Sequence, residues 1–405
     1  MPSAVPVVIF KLVSDPLQHG GLAVARSLGR IGAPVYTAYS DRNTPASRSR
    51  YVTDSFVLAG PRAEARRTLD ELIDISTRVG NRPILIAIDD VASAFVDRFA
   101  HDLEPAFRFP AQPDGLPTQL SDKRRLDELC RATGTPVPAA RVPRTEGDFL
   151  AMAAELGYPV VLKSMDPAIL RTRPLAASVA IANDEAEARQ LYRRMEVPEQ
   201  PNFMLQEYIP GGSTSVWMVN GYFDAGSVCR FAVTGQKIRQ TPPDTGATSL
   251  GICLDNDAVR SAAIHFLERV GYRGIVDMGF RYDARDGSYR LLDVNPRVGS
   301  SFRLFVNSGG MDVVRALYLD LTGQPIATAA VHEGRRWLVE NQDLATTWKL
   351  FRGRRLGMRQ WLGSLRGVEE LAWWSRDDLR PVVMMLFATA RQGLSALARR
   401  LVPRH

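Results

Sequence analysis

The sequence predicts an α/β and α+β protein: a doubly wound parallel-sheet domain, then a two-part α+β domain, then a helical C-terminal extension. Three observations predict this. Residues 1–117 alternate apolar strand patterns with helical patterns. Residues 118–325 mix helices with hairpin signals such as Asp286-Gly287. Residues 326–405 are basic and rich in Trp. A chain of 405 residues is long enough for two or three separate cores.

The first domain, residues 1–117, begins with an apolar strand over 6–12 and a helix over 22–31. The unbroken apolar run over 83–88 is typical of a buried parallel strand. Gly20-Gly21 precede the helix without the full dinucleotide fingerprint, so they predict a structural turn or the edge of a substrate site. His19 beside them is expected to lie exposed in a loop, with a substrate contact as the alternative.

The second domain divides into halves at 118–203 and 204–325, after a proline-rich connector over 105–117. In the first half, Ser121 is expected to cap a helix that ends at Gly134, and an apolar strand leads into Lys163. The second half contains a strand over 204–209, a helix over 256–270, and a hairpin of the strands 275–282 and 289–294.

The second strand of that hairpin leads into Asp293-Val294-Asn295-Pro296-Arg297. Alternate residues of a strand share a face, so a carboxylate, an amide and a guanidinium are grouped there. Carboxylate and amide oxygens suit Mg²⁺, and Arg can hold a phosphate or a carboxylate. The segment alone fits two readings about equally: a metal–nucleotide platform, or a strand end whose polar residues face solvent.

The scarcity of Lys favours the first reading. Of 51 Lys and Arg residues only five are Lys, as expected if surface cations have drifted to Arg. A Lys that remains is more often needed as a compact point charge, for example at a phosphate. Lys123, Lys163 and Lys237 all precede the Asp293 strand, so we interpret the three together as functional.

With these residues in view, the chain resembles the ATP-grasp superfamily over most of residues 1–325. The closest likeness is to bacterial carboxylate–amine ligases with an N-terminal Rossmann-like domain. The most specific motifs are Asp293 to Arg297, Leu205 to Gly211, and Tyr158 to Lys163. The resemblance implies an ATP-dependent enzyme that forms an acyl phosphate from a small carboxylate, which an amine then attacks.

The resemblance also implies a role for each matching residue. Lys123 and Lys163 would contact ATP phosphates, and the segment Gln206, Glu207, Tyr208 and Ile209 would meet the adenine. Asp293 and Asn295 would bind Mg²⁺, with Mn²⁺ as an alternative metal. The catalytic residues would be Lys237, Arg239 and Arg297, which would steady the γ-phosphate, the acyl phosphate or the substrate carboxylate.

The sequence departs from the family pattern at two places. The segment 166–174, after the Lys163 strand, has no glycine, so Arg171 and Arg173 would have to cover the phosphates. The usual acidic ligand before the hairpin is replaced by Gly279, and Asp277 is the expected substitute. The alternative function is therefore a degenerate ATP-grasp protein that binds a nucleotide or metabolite without turnover.

Charge and cysteine usage bear on partners and location. Residues 331–405 contain 14 Lys and Arg against 7 Asp and Glu, and five of the six Trp residues. This composition fits peripheral contact with an anionic membrane, or a small helical subdomain that packs its Trp side chains inward. We expect no nucleic-acid partner, because no recognition motif accompanies the basic tail. The resemblance allows a homodimer.

Three widely spaced Cys residues and the lack of a visible signal peptide predict a cytoplasmic protein.

Overall fold

The computed structural model describes residues 4–60, 64–165, 179–196 and 203–401, with side chains described as far as residue 391. In the first domain the elements are β1 (Val7–Lys11), α1 (Gly20–Gly29), β2 (Val35–Tyr39), β3 (Val52–Val57), α2 (Ala65–Val79), β4 (Ile84–Ala87), α3 (Asp90–Arg98) and α4 (Ala100–Leu103). The four strands form a parallel sheet in the order β3-β2-β1-β4.

Strand β1 explains why this sheet is covered on both faces. Val7 and Ile9 pack in a core that contains residues of α1, whereas Val8 and Phe10 pack with α2 and α3 in a second core. Because alternate strand residues point to opposite faces, an unbroken apolar strand requires helices on both sides. The doubly wound arrangement predicted from the sequence is confirmed.

The next part of the chain builds a smaller antiparallel sheet. Its elements are α5 (Leu116–Ser121), α6 (Lys123–Thr133), β5 (Ala140–Arg141), α7 (Glu146–Leu156), β6 (Val160–Ser164), β7 (Val179–Ala182), α8 (Glu185–Met195) and β8 (Phe203–Glu207). The strand order is β5-β8-β6-β7. Asp122 caps α6 by accepting hydrogen bonds from the amides of Arg124 and Arg125, so Ser121 was the wrong choice of cap. Gly134 ends α6 in the left-handed conformation, as expected.

The remaining residues form a seven-stranded sheet and its helices. The elements are β9 (Val216–Phe223), β10 (Cys229–Thr241), β11 (Ala247–Cys253), α9 (Asp257–Arg269), β12 (Gly274–Asp283), β13 (Ser288–Asn295), α10 (Val313–Leu321), β14 (Arg336–Leu338), α11 (Glu340–Arg352), α12 (Met358–Ser364), β15 (Val368–Leu371) and α13 (Arg380–Leu401). The strand order is β13-β12-β9-β10-β11-β14-β15.

The C-terminal extension contains the expected helices but also two strands that the sequence pattern did not predict. β14 pairs with β11 and β15 pairs with β14, so the extension completes the large sheet. Trp337 and Trp373 are buried in the same core as Val7 of the first domain. Trp348 and Trp374 remain 64% and 49% exposed. The Trp-rich segment is thus partly an inward-packing subdomain and partly an exposed apolar surface.

Within the described part of the chain, every helix is too short or too polar to cross a lipid bilayer. The three cysteines are free thiols, and Cys130 and Cys253 are buried while Cys229 is half-buried.

Candidate active site

A cavity of about 1090 Å³ lies between the small sheet and the large sheet. Lys163 and Gln206 line it from the small sheet, and Lys237 and Asp293 line it from the large sheet. Lys163 Nζ donates to the carbonyl of Leu292 at 3.3 Å, so one side chain joins the two sheets beside the acidic strand. His19 and Asp90 of the first domain line the same cavity.

The acidic group forms because β12 and β13 are paired with Asp277 opposite Asn295 and Gly279 opposite Asp293. Side chains of directly opposed residues lie on one face. The Asn295 amide nitrogen is 3.3 Å from Asp293 Oδ2 and 3.5 Å from Asp277 Oδ2. Three oxygen-bearing side chains therefore converge on one point, as predicted, with Asp277 supplying the second carboxylate.

This group has the chemistry of a hard-cation site. Two carboxylates and an amide are too few to surround Mg²⁺, and the described residues contain no cluster of three His, Cys, Asp or Glu that could hold a metal. Mg²⁺ is usually held by one or two carboxylates with water and substrate phosphates completing its shell, so the group fits. To bind a cation, Asn295 would have to turn its amide oxygen toward the two carboxylates.

The space around Gly279 explains the departure from the family pattern. A Cβ built on Gly279 would lie only 2.2 Å from Asp293 Oδ1, so Asp293 occupies the room that a side chain there would need. An acid at position 279 is incompatible with the present position of Asp293. Asp277, one pair further along the same strand face, is oriented by a hydrogen bond of 2.9 Å from the Asn220 amide.

Lysines set the electrostatics of the cavity. Burial alone would raise the pKa of Asp293, but attraction to Lys123, Lys237 and Lys163 brings it below its ordinary value. Burial, with repulsion from Lys123, lowers the pKa of Lys163 to about 8. Burial also lowers the pKa of Lys237. The lining as a whole has six acidic and six basic side chains. Lys123, Lys163, Lys237 and Arg297 are nevertheless grouped around Asp277 and Asp293, and this local group of cations suits an anionic ligand.

Lys237 and Arg239 diverge although they are two residues apart on β10. Lys237 lines the cavity and donates to the carbonyl of Gly246 at 3.1 Å. The pairing of β10 with β11 is irregular between Lys237 and Gln240, and a β-bulge breaks the alternation of faces. Arg239 accordingly points away and forms a buried pair with Asp343, at 2.7 Å. The structure does not bring Arg239 to the cavity, which corrects its assignment as a catalytic residue.

Arg297 lines the cavity but is shared with the first domain. Its Nε donates to Asp90 Oδ1 at 2.7 Å, and one terminal nitrogen lies 3.4 Å from Asn295 Oδ1. Although burial opposes it, attraction to Asp90 and Asp277 raises the pKa of Arg297. The guanidinium thus remains charged next to the acidic group.

The predicted adenine-binding segment also lines the cavity, from Gln206 to Ile209. The Glu207 carboxylate is engaged elsewhere, because it accepts from Arg285 at 2.5 Å and from the amide of Ala139 at 3.2 Å. The Ile209 carbonyl accepts from Arg281 at 2.7 Å. Lys123 lines the cavity from the first residue of α6. The glycine-free segment 166–174, with Arg171 and Arg173, lies outside the described residues.

The sequence analysis missed two cavity residues, Asp90 and Gln240, and Asn220, which supports the cavity from behind. Asp90 and Asn220 orient Arg297 and Asp277, and Gln240 has an amide oxygen with no partner in the protein. Asp90 ends an apolar strand pattern, the one signal that could have indicated it. His19 is only 6% exposed, so the expectation of an exposed loop residue was wrong.

Comparisons with known proteins agree with this geometry. No family model matches the sequence. A D-aspartate ligase of Enterococcus faecium is 24% identical over 240 residues, which cover 57% of each chain, so under two thirds of that relative is matched. An ADP complex of N5-carboxyaminoimidazole synthetase from Staphylococcus aureus superimposes with a TM-score of 0.62 at 12% identity, covering 87% of both chains. The chain has the ATP-grasp fold.

A second ATP-grasp structure supports the same architecture. The L-amino acid ligase from Bacillus licheniformis superimposes with a TM-score of 0.58 at 15% identity, over 79% of this chain and 75% of that one. At such identities the comparison establishes the fold.

Proposed function

We propose that this protein is an ATP- and Mg²⁺-dependent ligase that activates a small carboxylate as an acyl phosphate and couples it to an amine. The observation that carries the proposal is the meeting of Lys123, Lys163 and Lys237 with the acidic group of Asp277, Asp293 and Asn295 in one cavity. The names of the D-aspartate ligase and the L-amino acid ligase point to the same class of reaction.

The proposed chemistry explains the charge of the cavity. A substrate carboxylate oxygen would attack the γ-phosphorus of ATP, and ADP would leave. The amine nitrogen would then attack the acyl carbon, the carbon–oxygen bond to phosphate would break, and phosphate would depart as the amine loses a proton. Both steps concentrate negative charge, and fixed cations stabilise it. Lys237 and Arg297 are the two cations nearest the acidic group on the large sheet.

The metal and nucleotide have separate proposed contacts. Asp293, Asn295 and Asp277 would hold Mg²⁺, or Mn²⁺ in its place, which when bound would neutralise charge on the phosphate oxygens. Lys123 and Lys163 would position the phosphates from the small sheet. Backbone groups from Gln206 to Ile209 would meet the adenine, because the Glu207 carboxylate is already bonded to Arg285.

The test is formation of ADP and phosphate that requires both co-substrates. Thermal unfolding with saturating Mg·ATP, and Mg·GTP as the control, should first show a specific increase in Tm. A ligand at 100 times its Kd stabilises the native state by about 2.7 kcal/mol. The Asp293→Ala variant should then lose ADP formation by at least about 10²-fold. Undiminished activity in that variant would refute the metal assignment.

The alternative is a protein that binds Mg·ATP without turnover, and the lack of an acid at Gly279 favours it. Under this alternative, Mg·ATP raises the Tm, but no pair drawn from a panel of carboxylates and amines releases ADP. The ligase proposal requires release with at least one pair, so the two are separated by the same assay.

We propose peripheral membrane contact as a secondary role of the C-terminal extension. Two of its acidic side chains, Asp378 and Asp343, are buried in pairs with Arg26 and Arg239. Exposed apolar side chains, including Trp348 and Phe387, lie on helices that also carry basic residues. Such a surface suits anionic lipid. Full-length protein should pellet with anionic vesicles, and Trp348→Ser/Phe387→Ser should reduce pelleting; equal pelleting would dispose of this role.

A homodimer is likewise proposed only from the resemblance to dimeric ligases, and light scattering tests it.

A further inference from the structure

His19 is buried at the wall of the cavity with its hydrogen-bonding capacity unused. The residue is 6% exposed, it lines the cavity, and neither imidazole nitrogen has a hydrogen-bond partner in the protein. Buried polar side chains are nearly always hydrogen-bonded, because a group without a partner does not regain the hydrogen bonds to water that it loses on folding. Because His19 lies at the cavity wall, a ligand there could provide the missing hydrogen bond.

Two Trp rings fix the imidazole. Its ring centroid is 5.4 Å from that of Trp337 and 6.0 Å from that of Trp373. Burial lowers the pKa of His19 to about 4, so the imidazole is neutral near pH 7. A neutral imidazole offers one N–H donor and one acceptor nitrogen. His19 is therefore a neutral polar group held against two Trp rings at the cavity wall.

The sheet register places this wall close to the reacting centre. Lys237 is directly opposite Gly251, and Gly251 is directly opposite Trp337, so the three lie in one row across β10, β11 and β14. Neighbouring strands are about 4.8 Å apart, which puts Trp337 about 10 Å from Lys237 along the row. A small substrate bound at Lys237 can therefore extend to the wall formed by Trp337 and His19.

The N-terminal end of α1 lies at the same wall and favours a ligand with negative charge. His19 directly precedes this ten-residue helix, whose first turn contains no acidic residue. The His19 side chain makes no cap bond, and the Gly21 amide donates to Gln18 Oε1 at 3.4 Å. The N-terminal end of a helix favours anions. The two acids of the first domain that line the cavity have partners of their own: Asp90 contacts Arg297 at 2.7 Å, and Asp15 Oδ1 accepts from the amide of Leu17 at 3.1 Å. The helix end and His19 together favour a carboxylate over an ammonium group.

We propose that His19, held by Trp337 and Trp373 at the start of α1, binds a substrate carboxylate that does not react. This carboxylate belongs either to an amino acid that serves as the amine or to a dicarboxylic acid that is activated at its other end. The inference rests on the proposed ligase function, because that function places the reacting carboxylate near Lys237. It makes His19 a specificity-determining residue.

Binding is tested without turnover by NMR of protein carrying ¹³C at the histidine Cε1. The chain has five His residues, and His19→Phe assigns the His19 signal. With Mg²⁺ and a non-hydrolysable ATP analogue present, L-alanine, L-aspartate and succinate are titrated against L-alaninamide and ethylamine. We expect at least one carboxylate to move the His19 signal and neither amine lacking a carboxylate to do so. A signal unmoved by all carboxylates, or moved equally by the amide, overturns the inference.

Kinetics show which of the two substrates carries the carboxylate that His19 binds. With an active substrate pair, His19→Phe should raise KM for the substrate bearing the spare carboxylate by about 10- to 100-fold. KM for Mg·ATP should stay unchanged. His19→Asn retains a donor and should lose less. His332→Phe is the control, because His332 is 42% exposed and pairs only with Glu369 among the described residues.

Failure of the ligase proposal and failure of the His19 proposal give different results. If no pair releases ADP but carboxylates move the His19 signal, the subsite stands and the reaction is wrong. If ADP forms and His19→Phe leaves every KM unchanged at unaltered Tm, the ligase stands and the subsite is wrong.

Discussion

The cations of the cavity differ in how they are paired from those of the C-terminal interface, where the extension of residues 326–405 packs against the rest of the protein. In the cavity, the described contacts of Lys163 and Lys237 are to the carbonyls of Leu292 and Gly246. At the interface, Arg26 binds Asp378 and the carbonyls of Ala372, Trp373 and Asp378. Arg239 and Arg303 likewise pair with acids of the extension, Asp343 and Glu370.

The difference separates two uses of buried charge. A guanidinium has a planar fork of donors that a carboxylate and carbonyls can satisfy together, so Arg suits a fixed interface. A Lys ammonium with few protein partners remains available to a phosphate. Pairing, rather than burial, therefore separates Lys163 and Lys237 from Arg26, Arg239 and Arg303. Arg297 combines the two situations, because it lines the cavity and also pairs with Asp90.

The largest expected effect is on the interface. Arg239→Met leaves Asp343 buried without its partner, so the free energy of unfolding in urea should fall by about 3–5 kcal/mol. KM for Mg·ATP should be unchanged in the folded fraction. Arg239→Met/Asp343→Leu should recover most of the lost stability, because neither charge is then left unpaired. If Arg239→Met instead raised KM for Mg·ATP without loss of stability, Arg239 would belong to the nucleotide site.

The matched substitution on the same strand should lower the rate of the reaction and leave the free energy of unfolding nearly unchanged. Lys237→Met should lower kcat for ADP formation by about 10²- to 10³-fold, because a cation at the transferred phosphate is lost. Its free energy of unfolding should change by less than about 1 kcal/mol, since relief of burial offsets the loss of attraction to Asp293 and Asp277. A destabilisation as large as that of Arg239→Met would show that Lys237 is structural.

The pH dependence of Lys163 tests the same distinction more finely. Its folded-state pKa, about 8, lies below the ordinary 10.5, so burying the charged form costs stability below pH 8, and this cost disappears as pH rises toward 10.5. Lys163→Met should therefore be more stable than wild type at pH 7, by a margin that shrinks above pH 8. Urea unfolding across this range measures it. A margin that is constant with pH would contradict the lowered pKa.

Nucleotide binding provides the corresponding ligand test. Because phosphate favours the ammonium form, Mg·ATP binding near pH 8 should take up a fraction of a proton at Lys163. Calorimetry in two buffers of different ionisation enthalpy detects the uptake, and Lys163→Met should abolish it.

The smallest effect is expected for an exposed pair. Arg66 and Asp70 on α2 are 3.3 Å apart, and their side chains are 68% and 61% exposed. Asp70→Ala should change the free energy of unfolding by less than about 1 kcal/mol and leave activity unaltered. This variant is the baseline for Arg239→Met, and a similar loss in both would show that burial does not set the cost of breaking an ion pair in this protein.

Local patterns in the sequence predicted most of the fold and the centre of the cavity. The apolar runs of β1 and β4 required a sheet covered on both faces, and the spacing of Asp293 and Asn295 placed both on one strand face. The scarcity of Lys indicated Lys123, Lys163 and Lys237. Each of these signals lies within a few residues of the feature that it predicts.

What escaped prediction depends on distant or irregular contacts. The bulge that turns Arg239 away from Lys237 is fixed by pairing with β11, which the alternation of β10 alone cannot reveal. The burial of His19 is set by Trp337 and Trp373, more than 300 residues later in the chain. Strand β14, at three residues, is too short to show a pattern of its own.

The bond between Arg26 and Asp378 also has a consequence for biosynthesis, since 352 residues separate its two ends. At 5–20 residues per second, the ribosome needs on the order of 20–70 s to reach Asp378 after making Arg26. Throughout that interval the face of α1 that carries Arg26 lacks its covering segment. We therefore expect the first domain to complete its packing only after residues 372–378 have been made and have closed over the first helix.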